Sequence, residues 1–327
     1  MDRRNFIKAA GLASGAVFLS NRLSGTTLNP TENPHKPVLH NGVLNGVCDL
    51  HIHAAPDIKE RTVNELELCR TAKETGYKAV MFKSNVWSCH DRAYIVRQAL
   101  PGFACFGSLV MNLAFGERVN IHTAKQALNT SGNLCRCIWM PTQDASYPPL
   151  AEAGHTGKTI PVADTAGKIL PEVVQVMELC AEADIIFATG HSSPDESLAM
   201  ARTAKEIGLK RFVITHANSR IWKLTHDQIR QAVDLGAWIE YCYLPRLWGP
   251  GTGLPNMERQ TKEEFLSYIR LVPERSFVST DLGSAGLPDP VTGMGMCIEE
   301  MASSDVPQQE IAMLVRKNPA WLLNLTE

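Results

Sequence analysis

DIIFATGHSSPDESLAMARTAKEIGLKRFVITH, residues 184–216, reads as one complete β-α-β unit. Two short apolar runs, DIIFATGH (184–191) and RFVITH (211–216), flank an amphipathic stretch that opens on Ser193-Pro194-Asp195 and stops at Gly208. A capping serine followed by proline, with a glycine at the far end, is the sequence signature of a helix between two turns. Short apolar runs separated by helices of this length belong to a parallel sheet. Each run ends on a histidine, His191 and His216.

The same rhythm extends both ways. VCDLHIH (47–53), KAVMFKS (78–84), ACFGSLV (104–110) and LCRCIWM (134–140) come before; WIEYCYL (238–244) and SFVSTD (276–281) come after, giving eight strands in all. Eight is the number that closes a single (β/α)8 TIM-type barrel, expected here over residues 31–327. A doubly wound open sheet shows the same alternation. The placement of polar residues separates the two. His51, His53, Lys83, His191, His216 and Asp281 all stand at or near the C-terminal ends of their strands, which meet at one mouth in a barrel. Two long polar connections, 141–170 after the fourth strand and 245–260 after the seventh, would overhang that mouth; loops of such length usually serve binding.

Composition narrows the class. With 327 residues, 44% of them hydrophobic, the chain can bury a large core. Its formal charge of −2, with no Lys/Arg block, argues against a nucleic-acid partner. MDRRNFIKAAGLASGAVFLS at the start sets Arg3-Arg4 and Lys8 before a soft apolar stretch and resembles a twin-arginine export signal. Residues 1–30 are therefore expected to be signal and linker, addressed to the twin-arginine machinery, with the barrel periplasmic or otherwise exported. No later run is long enough to cross a bilayer, so no stable membrane insertion of the mature chain is expected. Several of the nine cysteines, among them Cys48, Cys135, Cys137 and Cys242, lie in apolar strand-like runs and read as core thiols rather than metal ligands. Barrels of this kind often pair, so a homo-oligomer is allowed for, although no helix face carries a distinct interface pattern.

His51 and His53 are two residues apart, so on a strand they face the same way, with Asp49 on that side too. Added to His191, His216 and Asp281 at other strand ends, they form a nitrogen and carboxylate set suited to Zn²⁺ or another borderline divalent ion. Lys83 ends the second strand in an apolar segment, where an unpaired ammonium is costly. Three readings stand for it: a carboxylated bridge between two ions, an ammonium for a substrate anion, or a structural partner of Asp49 or another acid.

Here the chain resembles the amidohydrolase superfamily of metal-dependent hydrolases. That resemblance implies a (β/α)8 barrel with HxH on strand one, single histidines on strands five and six and an aspartate closing strand eight, positions held by His51, His53, His191, His216 and Asp281. DLHIHAAPD, FKSN, PTQDA and ATGHSSPDE are similar to a branch catalogued only as a domain of unknown function. One departure stands out: the bridging lysine that many two-metal members carry on strand four has no counterpart in CIWMPT, which leaves one or two ions open. By the resemblance, the five residues hold the ion, Asp281 also handles the proton of the attacking water, and His216 either ligates a second ion or polarises the substrate.

Further expected substrate contacts are Arg61 and Arg92 for an anionic group, Asn112 for a carbonyl or for a loop, and Glu240, which, inside an apolar strand, meets substrate, orients a histidine or pairs with a helix-borne arginine. Trp87, Tyr241, Tyr243 and Trp248 are candidates for an aromatic wall. The expected reaction is hydrolysis of a small, possibly anionic ester, lactone or cyclic amide. Non-oxidative decarboxylation of an aromatic or unsaturated acid, phosphoester hydrolysis and a catalytically inactive binding protein are the alternatives.

Overall fold

The computed structural model describes residues 42–147, 157–222 and 224–325. The expected signal and linker lie outside the described residues. The strands are β1 (Cys48–Ile52), β2 (Ala79–Phe82), β3 (Ala104–Val110), β4 (Cys135–Trp139), β5 (Ile186–Ala188), β6 (Phe212–Ile214), β7 (Trp238–Cys242) and β8 (Ser276–Ser279). They pair in parallel in the order β1 to β8, each with the next in sequence. The ring is then drawn closed between β8 and β1: Asp281 N–H donates to His51 O at 2.8 Å, and His53 N–H donates to Leu282 O at 2.9 Å. Deeper in the same seam, Asp49 accepts from the Thr280 hydroxyl at 2.6 Å and from its N–H at 3.1 Å. The fold is the expected (β/α)8 barrel.

Helices alternate with the strands for local reasons that the sequence states. They are α1 (Glu65–Glu74), α2 (His90–Ala99), α3 (Ile121–Asn129), α4 (Pro171–Glu182), α5 (Pro194–Ile207), α6 (His226–Asp234), α7 (Lys262–Ile269) and α8 (Pro290–Ala302), with α9 (Gln308–Ala312) and α10 (Asn318–Leu322) after the barrel. Ser193 with Glu196, Thr225 with Gln228 and Asn64 with Glu67 form capping boxes that satisfy the free N–H groups at the starts of α5, α6 and α1. Each helix buries one stripe. On α4 that stripe is Val173, Val176, Met177 and Cys180, at the i, i+3, i+4, i+7 spacing that puts side chains on one face. Among the described residues, no helix is long and apolar enough to cross a membrane.

All nine cysteines are buried free thiols. Burial pushes Cys48 and Cys135 up to about 12, so they behave as small core residues. A separate apolar cluster of Leu244, Trp248, Leu282 and Leu287 joins the loop after β7 to the loop after β8.

Candidate metal centre

Strand register and a few unusual backbone angles place the site. His51 lies within β1 and His53 just beyond it, so both face inward. His216 and Asp281 each follow their strands by two residues and take left-handed conformations, with φ of 55° and 54°. For residues other than glycine such angles cost about 1–3 kcal/mol each and gather at functional positions, where the surroundings enforce them. Glycines let these turns fit. A Cβ on Gly190, before His191, would collide with the carbonyl of Met140, and one on Gly283 would collide with the carbonyl of His53.

At the centre is the Asp281 carboxylate. Its Oδ1 is 3.0 Å from His51 Nε2 and 3.1 Å from His53 Nε2, and its Oδ2 is 3.6 Å from His216 Nδ1. On its far side, His51 Nδ1 is 3.0 Å from Glu240 Oε1, which also accepts from the Ser279 hydroxyl at 2.6 Å. Glu240 is fully buried, yet His51 and Ser279 keep its carboxyl below the usual range. It can therefore only accept, and Nδ1 of His51 must be the donor. That assignment leaves the Nε2 lone pair of His51 buried beside Asp281, with no hydrogen-bond partner of suitable geometry. Two lone pairs at that separation need a cation, a proton or a metal ion, between or beside them; although burial opposes it, Asp281 and Glu240 raise the basicity of His51. His51, His53 and Asp281 bring one donor atom each within 4.8 Å of one another, a set that fits a divalent metal ion.

A second group, His51, His216, Glu240 and Cys242, meets the same distance test. Its atoms are engaged otherwise. Glu240 holds His51 and Ser279, and burial pushes the Cys242 thiol well above its ordinary value. Glu240 thus orients His51 from behind, the arrangement in which a buried carboxylate backs a histidine ligand.

Burial lowers the basicity of the other imidazoles. It holds His216 down to about 4 and, with the charge of Arg61, His53 down to about 3; His191 is pushed well below its usual value by burial and by His216. At neutral pH these rings are uncharged, the state in which imidazole binds metal. Burial opposes ionisation of Asp281, but the surrounding imidazoles of His51, His216 and His53 outweigh it and hold the carboxyl well below its usual range. His191 lies outside both donor groups; its ring is 5.2 Å from that of His216, and its Nδ1 is buried without a partner.

Above the site opens a cavity of about 790 Å³ lined by His53, Lys83, His191, His216 and Asp281, with Arg61 at its side. The expected metal residues are thus brought together at one mouth. The expected substrate contacts are not. Arg92 is paired with Glu65, at 2.9 and 3.1 Å, away from the cavity. Asn112 is buried and clamps loops, donating to Asn85 O at 2.7 Å and accepting from Thr142 N–H at 2.8 Å. Glu240 is fully buried behind His51 and does not line the cavity. Arg61 lines the cavity, but it already donates to Asp57 at 2.9 Å, to Ser284 at 3.2 Å and to His53 Nδ1 at 3.3 Å.

Of the four aromatic candidates, only Trp248 reaches the cavity; Trp87 is exposed, Tyr243 bonds Glu300, and the hydroxyl of Tyr241 is buried without a partner. Trp222 is the wall residue the sequence did not reveal. It stacks on His216 at 4.7 Å and 18° and leans on His191 at 4.7 Å. Its signal was weak, one tryptophan in a loop after β6 with no periodicity to mark its direction.

A (β/α)8 barrel with histidines and an aspartate gathered at the C-terminal mouth defines the class. The profile of a family of unknown function, DUF6282, matches residues 46–240, and the chain belongs to that family. No curated protein matches it. Among solved structures it is similar to a mutant of organophosphorus hydrolase from Deinococcus radiodurans, with 13% identity and a TM-score of 0.57, covering 86% of this chain and 94% of that one. An amidohydrolase from Pseudomonas aeruginosa gives 10% and 0.57, covering 86% and 97%. The probable dipeptidase from the same organism gives 12% and 0.57, covering 87% and 97%. At these identities the likeness is one of fold.

Proposed function

We propose that this protein is a metal-dependent hydrolase of a small ester, lactone or cyclic amide. The observation that carries the reading is the approach of Asp281 Oδ1 to His51 Nε2 and His53 Nε2, at 3.0 and 3.1 Å, on the floor of an open cavity. The likeness in fold to an organophosphorus hydrolase, an amidohydrolase and a probable dipeptidase supports it. His51, His53 and Asp281 would hold the ion, with His216 and His191 beside it. A divalent ion there, zinc by the chemistry of the donors, would acidify water and polarise a carbonyl.

The chain's own groups do the rest. Glu240 fixes the tautomer of His51, so that Nε2 faces the centre. Asp281 keeps Oδ2 towards His216 and is positioned to take a proton from water and return it to a leaving group. His216, uncharged and stacked on Trp222, is set to donate a hydrogen bond to a substrate oxygen. The loop after β7 covers one side of the cavity and limits entry of bulk water. In this reading the Arg3-Arg4 segment directs the barrel out of the cytoplasm, so that the substrate is met there.

The test is turnover of a panel of neutral and carboxylated esters, lactones and cyclic amides by zinc-loaded protein. Asp281→Asn should reduce kcat by about 10²–10⁴-fold, the range for a positioned proton-transfer group. Near wild-type turnover in that variant, with metal content unchanged, would refute the proton role.

A further inference from the structure

Lys83 is 3% exposed and lines the cavity, yet among the described residues its ammonium makes no hydrogen bond and no ion pair. The ammonium lies 5.1 Å from the ring centroid of Trp139 and feels the charges of Asp281 and Glu240 without bonding to either. Asp49, the acid expected to pair with it structurally, is engaged with Thr280 on β8. A buried charge without a counterion is costly, so a partner arriving with the ligand is the natural complement.

The rest of the lining says what else that ligand carries. Arg61, the one guanidinium in the lining, has both terminal nitrogens engaged by Ser284, His53 and Asp57, and its Nε is buried, so it presents no free fork to a ligand. The one carboxylate, Asp281, belongs to the metal centre. Across the ring, at the mouth by β6 and β7, the lining is apolar: Ile221, Trp222, Leu244, Trp248, Leu254 and Met257. In an eight-stranded ring β2 and β6 stand opposite each other, so Lys83 and this wall face one another across the metal centre.

We propose that the substrate is a carboxylate with an apolar body, its carboxylate on Lys83, its body against the β6–β7 wall and its scissile carbonyl between them. Lys83 is the buried ammonium of the lining and Lys59 an exposed one at its edge; an ammonium suits a carboxylate, whereas a phosphate dianion is better served by a guanidinium fork, and both terminal nitrogens of Arg61 are taken. The inference rests on the hydrolase reading for the bond that is cleaved but not for how the ligand is held.

The experiment is therefore one of binding, in zinc-loaded full-length protein, followed by tryptophan fluorescence and calorimetry. Phenylacetate and its neutral counterpart phenylacetamide are the probes. Phenylacetate should bind about 10- to 100-fold more tightly, the range expected of one charge-assisted hydrogen bond in a buried site. Lys83→Met should abolish the preference while leaving metal content and phenylacetamide binding unchanged, and Lys83→Arg should keep most of it. Equal binding of the two probes by the wild type would overturn the proposal. So would a preference that survives in Lys83→Met, which would place the carboxylate on the metal, or tighter binding of phenylphosphonate. An added mass of one CO2 on Lys83 in protein kept in bicarbonate would overturn it too, by making the side chain an anion. A failed turnover panel with the Lys83-dependent preference intact would count against the hydrolase reading alone.

Discussion

At the scale of single residues, two partners decide how the paired histidines behave. Glu240 accepts from His51 Nδ1 and leaves Nε2 bare, while Arg61 donates to His53 Nδ1 and leaves Nε2–H directed at Asp281. One histidine is ready for a metal; the other must first give up a hydrogen bond. Glu240→Gln should weaken zinc binding by about 10- to 100-fold, as loss of a carboxylate behind a metal-bound histidine does. Competition with a chromogenic chelator measures it, and an unchanged affinity would show that Glu240 does not orient His51. Arg61→Met should act the other way and tighten zinc by about tenfold, since it removes a cation beside a ligand and frees Asp57 to take up His53 Nδ1–H. Weaker binding in that variant would mean that Arg61 supports His53 rather than competing for it. His51 and His53 were legible as a pair because a strand repeats every two residues. Their different partners were not, because Arg61 reaches them from a loop and Glu240 from β7, nearly two hundred residues further along the chain and brought near β1 only when the ring closes.

At the scale of elements, the loop after β7 is held by buried polar groups at its base. Asn218, just past β6, donates to Cys242 O at 2.9 Å and to Gln260 Oε1 at 3.0 Å, and it accepts from Cys242 N–H at 2.9 Å. Gln260 returns a bond to Asn218 O at 2.7 Å. Arg246, in the first turn of the loop, is held by Glu300 of α8 at 2.8 and 2.9 Å. Asn218→Ala would leave the Cys242 peptide groups and the Gln260 amide oxygen unsatisfied in the interior. It should lower stability by about 2–4 kcal/mol, read from urea unfolding. The loop carries Trp248, Leu254 and Met257, so ligand binding should weaken as well; a stable variant with unaltered binding would show that the clamp does not position the wall. From sequence this segment announced itself by length and by its prolines and glycines. Its anchors did not, since an Asn and a Gln far apart along the chain become partners only when β6 and β7 pair.

For the molecule as a whole, the proposed metal ligands sit where the barrel closes. His51 and His53 come from β1 and Asp281 from the end of β8, the first and last strands of the ring. An ion on all three would cross-link the seam. Saturating zinc at about 100 times its Kd should add about 2.7 kcal/mol, a rise in Tm of several degrees for a chain of this size. The rise should vanish in His51→Ala; a shift of equal size in that variant would place the ion elsewhere.

The barrel itself was legible in the amino-acid order, because helix and strand periodicities and capping residues such as Ser193 and Glu196 are local. So was the set of polar strand ends, because all parallel strands of one barrel finish at the same mouth. What each polar residue does there was decided only by the tertiary structure. Arg92 turned to Glu65, Asn112 to the loops, Glu240 to His51, and Trp222 to the histidines. Those outcomes depend on which groups from distant segments meet at hydrogen-bonding distance in a dry interior, where a buried polar group must take whatever partner the packing brings.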